Sequence, residues 1–135
     1  IDVYFGLNKV GDPKDVLVQP DPAALHSGDD IFWHFHSLDK NVEYVRIEFA
    51  DNTVLFFDER GHKKTFQRKT QLEKPPKGNK GGHGRILGTA PSYGGGTQSN
   101  KYSVKAFDTD PGDVNNPNPP NPIYEMDPTV ITCDP

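Results

Sequence analysis

Ser27 to Phe49, SGDDIFWHFHSLDKNVEYVRIEF, constrains the fold more than any other stretch of the chain. Ile31, Trp33 and Phe35 alternate with Phe32, His34 and His36, and after a polar turn Val45, Ile47 and Phe49 alternate with Tyr44, Arg46 and Glu48. On a strand, successive side chains leave opposite faces, so each run offers one apolar row to a core and one mixed row outward. Two such strands near the start of the chain predict an all-β protein. Composition agrees: 13 Gly and 13 Pro in 135 residues suit many turns and poorly suit a helix bundle. The length predicts a single domain over residues 1–135.

Other runs fill in the strand list. IDVYFGLNKV and Asp15–Gln19 (DVLVQ) read as early strands, and PDPAAL after them reads as a turn or edge, because proline removes ladder donors. Thr53–Phe57 (TVLFF), behind the Asp51-Asn52 turn signal, reads as the next strand of a hairpin. KKTFQRKTQL can form a strand bearing Phe66. Residues 76–97 read as a long Gly-rich insertion with one short strand near Ile86, its glycines serving flexibility or turns. Lys101–Phe107 and Thr129–Cys133 are strands on either side of a Pro/Asn-rich loop at 108–122. Short strands at this spacing predict a single antiparallel β-sandwich with Greek-key connections. Its expected core is Ile31, Trp33, Phe35, Val45, Ile47, Phe49, Val104 and Ile131.

The order of these features resembles a cupredoxin-like domain: Pro22, Ser27, Gly28, Asp29, Ile31 and Trp33 in one strand motif, then Val45, Ile47 and Phe49, then Tyr102 and Val104, then a closing strand after Asp127-Pro128. The resemblance implies a fold and also a test of function. A type 1 copper centre needs two imidazoles and a thiolate with a weak axial thioether. Val45 stands where the resemblance implies the first His and Val104 where it implies the Cys. No His follows His83, Cys133 lies beyond the usual spacing, and Met126 alone falls near the axial position. The expectation is therefore a cupredoxin-like sandwich without the type 1 copper ligands and with no cofactor.

Charge is the second informative feature. Between Arg60 and Arg85 there are nine basic residues against Glu73 alone, a net +8, which leaves −12 for the rest of the chain. Such segregation bears on partners rather than on fold. It predicts a non-catalytic binding or assembly module. Lys63, Lys64, Arg68 and Lys69 would meet the Asp108/Asp110/Asp113 loop of a like copy, or another protein partner, or an anionic polymer. A solvated, lysine-guarded hairpin that discourages edge pairing stands beside these readings. Nucleic acid fits less well, since only Phe66 and Tyr93 offer stacking surface here and net charge is −4.

No catalytic constellation is readable: there is no nucleophile elbow, and paired carboxylates such as Asp29-Asp30 adjoin turns. GGHGRILG neither follows a clear strand nor opens a helix, so it fails the context of a phosphate loop. DTDPGD offers Asp108, Asp110 and Asp113 as oxygen ligands but lacks a calcium-loop register, and reads as Asp turn chemistry. His34 and His36 share one strand face, a spacing that lets two imidazoles reach one metal, with His26 or an acidic side chain as third ligand. The bland alternative is two half-exposed strand histidines. No apolar run is long enough to span a membrane. Ile1 fits a processed terminus or a trimmed one equally, and an extracytoplasmic setting is the expectation.

Overall fold

A computed structural model describes residues 1–49, 55–57, 63–65, 67–75, 81–90, 96–113 and 116–134. The strands are β1 Asp2–Phe5, β2 Val16–Gln19, β3 Ala23–His26, β4 Asp30–Ser37, β5 Tyr44–Phe49, β6 Leu55–Phe57, β7 Lys63–Thr65, β8 Gln67–Gln71, β9 His83–Thr89, β10 Gly96–Phe107, β11 Tyr124–Met126 and β12 Thr129–Asp134. They form two sheets. The first runs β2-β1-β4-β9-β6-β7 and the second β3-β12-β10-β5-β8, with β11 on the flank of β10. Among the described residues no helix is long and apolar enough to cross a membrane.

The alternation that predicted β4 and β5 is what packs the sheets. Ile31, Trp33 and Phe35 from the first sheet face Val45, Ile47 and Phe49 from the second, all of them buried. Trp33 sits with its ring centroid 6.3 Å from Phe49 and 5.8 Å from Tyr102, and its Nε1–H donates to the Tyr102 hydroxyl at 3.2 Å. Burial pushes that hydroxyl up to about 12. Val3, Phe5, Val18, Ile86, Val104, Tyr124 and Val130 complete the same cluster. β4 and β5 are thus facing strands of opposite sheets.

Several expectations are corrected. The sandwich is not purely antiparallel: β1 lies parallel to β4, and β3 parallel to β12. Parallel neighbours need a crossover, and the chain supplies one by turning β1 back as β2, crossing to the second sheet as β3, and returning as β4. β3 lies in the proline-rich segment read as a turn or edge, and it is the edge. Its ladder starts at Ala23, after Pro20 and Pro22, and it is an edge strand, where prolines at the entrance do no harm. β6 does not form a hairpin with β5; it joins the first sheet, since β5 already has β10 and β8 on its two sides. Where one strand is expected over KKTFQRKTQL there are two, β7 in the first sheet and β8 in the second, and Phe66 lies outside the described residues.

The short strand expected near Ile86 is present and longer: β9 pairs with β4 along seven residues, from Asp30↔Thr89 to His36↔His83. Three glycines at its start answer to close approach. A Cβ at Gly81 would run into the Ser37 carbonyl and one at Gly82 into that of Glu73, while at Gly84 it would lie 2.8 Å from Leu72 Cδ2. β10 begins earlier than Lys101, because its first half pairs with β12 and its second with β5. In β12 the inward residues are Val130 and Thr132, so Ile131 points away from the core and is only partly covered. TVIT offers apolar or β-branched side chains on both faces, so its pattern cannot assign the inner row.

Candidate functional site

The outward face of the first sheet gathers the chemistry. β1, β4 and β9 lie side by side, in a register that sets Tyr4 beside His36, His36 opposite His83, His34 opposite Arg85, and Phe32 opposite Leu87. Because period two sends Ile31, Trp33 and Phe35 inward, it sends Phe32, His34 and His36 out together. Phe32 and Leu87 are among the exposed large apolar residues, and the Arg85 guanidinium lies 6.0 Å from the centre of the Phe32 ring.

At one end of this face three side chains form a chain. His36 Nε2 is 3.1 Å from Asp2 Oδ1, and His36 Nδ1 is 3.2 Å from His83 Nδ1. A carboxylate only accepts, so His36 carries its proton on Nε2 and donates to Asp2. Neutral His36 then presents a lone pair at Nδ1, and His83 donates from its own Nδ1. Tyr4, its neighbour on β1, stacks on His36 with centroids 4.8 Å apart. The hydrogen bond from His36 holds the Asp2 carboxyl below the usual carboxylate range.

His83 is placed by backbone pairing. Glu73 and His83 exchange two backbone hydrogen bonds, 2.8 and 3.0 Å, so their side chains leave the same side of the bridge. Beside them is an open groove of about 470 Å³ lined by His34, Thr70, Gln71, Glu73, His83, Gly84 and Arg85. β8 forms one wall through Thr70 and Gln71 and β9 the other through His83, Gly84 and Arg85, so Arg85 is the one guanidinium among the described lining residues.

The sequence-predicted binding residues fare differently. Lys69 Nζ is 2.6 Å from Asp110 Oδ1 within the same chain, so the two groups assigned to opposite sides of a like-copy contact neutralise each other internally. Lys69 and the Gly112 N–H hold the Asp110 carboxyl below the usual range. Arg68 and Asp113 each have interactions of their own within the protein, and Asp108 is exposed. Lys63 and Lys64 lie in β7, but their side chains fall outside the described residues. The DTDPGD segment is an Asp-stabilised turn, with Asp110 Oδ1 accepting from Gly112 N–H at 2.9 Å.

His34 and His36 do share a face, yet His26 belongs to β3 in the other sheet and is no third ligand for them. Among the described residues no three His, Cys, Asp or Glu side chains are gathered closely enough to hold a metal ion. The residue that approaches His36 is His83, which sequence reasoning placed in a glycine loop, and the one that orients it is Asp2. Neither carries a local signal, because both depend on which strands flank β4. Val45 and Val104, at the copper-ligand positions of the resemblance, are fully buried in the core.

No family model matches the chain, and no curated protein matches it. Among solved structures, a similar chain is the ASH / PapD-like domain of human CEP192 (PapD-like domain 7), at 11% identity over 90% of this chain and 92% of that one, with a TM-score of 0.36. A likeness this slight bears on neither family nor partner.

Proposed function

We propose that this protein is a non-catalytic binding module on a cupredoxin-like scaffold without a type 1 copper centre, and that it engages an acidic protein partner through the groove between β8 and β9. The observation that carries this reading is the convergence of His34, His83 and Arg85 on one open groove, with Glu73 the one carboxylate among the described lining residues. Exposed Phe32 and Leu87 beside Arg85 add apolar contact area, and cationic and aromatic groups on a rigid sheet suit recognition of an acidic surface. The internal Lys69–Asp110 pair favours a foreign partner over a like copy. An extracytoplasmic setting belongs to the same proposal.

The test is titration with poly-L-glutamate across a salt series, beside sedimentation of the protein alone. Binding should weaken as the Debye length falls from about 30 Å at 0.01 M salt to about 8 Å at 0.15 M. Arg85→Glu should weaken it more than Lys69→Glu, while the protein alone stays monomeric. Equal binding by wild type and Arg85→Glu removes the groove from the reading. Salt-dependent self-association would restore the like-copy version.

A further inference from the structure

We propose that His36 and His83 form a site for a divalent transition-metal ion, bound through their two Nδ1 atoms and oriented by Asp2. This does not depend on the partner reading above.

Three observations point to it. The Nδ1–Nδ1 separation is 3.2 Å, and two imidazole nitrogens bound at about 2.0–2.1 Å to one tetrahedral zinc stand about 3.3 Å apart. The donors are therefore already spaced for one ion, on two strands fixed by a seven-residue ladder. Second, His36 Nε2–H is held by Asp2 Oδ1 at 3.1 Å. A carboxylate on the far nitrogen of a ligating histidine fixes the tautomer that leaves the near nitrogen free, and raises its basicity. Third, Tyr4 stacked on the His36 ring restricts its rotation, which reduces the ordering left for the ion to impose.

The proton balance is simple. His36 already carries its proton on Nε2. His83 moves its proton from Nδ1 to Nε2, so both Nδ1 lone pairs meet the ion and no proton leaves the protein. Two imidazoles leave coordination positions open to water, and exposed Glu73, the cross-strand neighbour of His83, is the protein carboxylate nearest in the ladder. An imidazole pair selects zinc, copper or nickel over magnesium or calcium, which prefer oxygen. His34 is not a donor here: it lies two residues along β4, opposite Arg85 instead of His83.

Calorimetric titration with Zn²⁺, using Mg²⁺ as the control ion, tests the site. Wild type should bind one Zn²⁺ saturably and show no Mg²⁺ heat. His36→Gln and His83→Gln should each abolish binding, while His34→Gln and Cys133→Ser leave it unchanged. Asp2→Asn should weaken it by about 10–100-fold. Imidazole ¹⁵N shifts on the wild type give a readout independent of any variant: the Nδ1 resonances of His36 and His83 should move on addition of Zn²⁺. Absence of saturable binding overturns the proposal. So does loss of binding in His34→Gln with retention in His83→Gln, which would hand the site to the pair on β4, or coordination through Nε2.

Discussion

The two outer faces of the sandwich handle charge in opposite ways. On the second sheet, Glu48 accepts from Lys105 Nζ at 2.9 Å, Lys69 reaches Asp110 at 2.6 Å, and the Arg46 guanidinium covers the Phe107 ring at 5.1 Å. Cation and anion alternate there and neutralise each other. The first sheet has no such alternation at its centre. Its histidines meet each other, with a single carboxylate behind one of them and Arg85 lying over an aromatic ring. A face whose charges are paired internally has little left for a partner, whereas a face of imidazoles, exposed aromatics and one unmatched chain of hydrogen bonds has donors and lone pairs to offer. The histidine-bearing face and Arg85, not the count of basic residues, accordingly carry the reading proposed above.

The comparison breaks first at the core that holds both faces. Trp33→Ala, which empties the space beside Phe49 and Tyr102, should cost about 3–5 kcal/mol. If the two sheets are one cooperative unit, tryptophan-independent probes on either face will report the same denaturation midpoint. Two separate transitions in wild type would mean that the faces belong to separately unfolding parts.

A smaller effect sharpens the contrast between the faces. Glu48 is largely covered, with a side-chain exposure of 18%, and Lys105 depends on it. Glu48→Gln should cost about 1–3 kcal/mol, because a covered ammonium loses its charged acceptor. His36→Gln on the other face should stay within about 0.5 kcal/mol. Thermal unfolding of the two variants checks this, and equal losses would contradict the view that only the second face is knitted together by charge.

The smallest effect is a titration. Asp2 and Asp110 are both held below the usual carboxylate range, by His36 and by Lys69 respectively. A carboxylate with a lowered folded pKa contributes stability that is present above its unfolded value and lost as pH falls through the folded one. Both contributions should therefore fade only in acid, below about pH 4, and both are slight because the groups are exposed. Carboxyl ¹³C titration should show Asp2 returning to the ordinary range in His36→Gln while Asp110 stays low. Lys69→Met should do the reverse. A shift of both in either variant would mean that the faces are electrostatically coupled.

Sequence determined the parts of this protein that rest on local periodicity. The alternation in β4 and β5 was enough to give strands, their inner rows and the buried aromatics Trp33, Phe35 and Phe49, though not Phe5, Tyr102 or Tyr124, since side-chain direction on a strand follows from position alone. Tertiary structure decided everything that depends on which strand lies beside which. Nothing local says that β1 runs parallel to β4, or that the strand around Ile86 reaches back to His83 and lies beside β4, with Gly81 and Gly82 letting the backbone close on Ser37 and Glu73. Those two pairings bring Asp2 and His83 to either side of His36, from 34 and 47 residues away. A site made by the lateral order of strands has no sequence spacing to announce it.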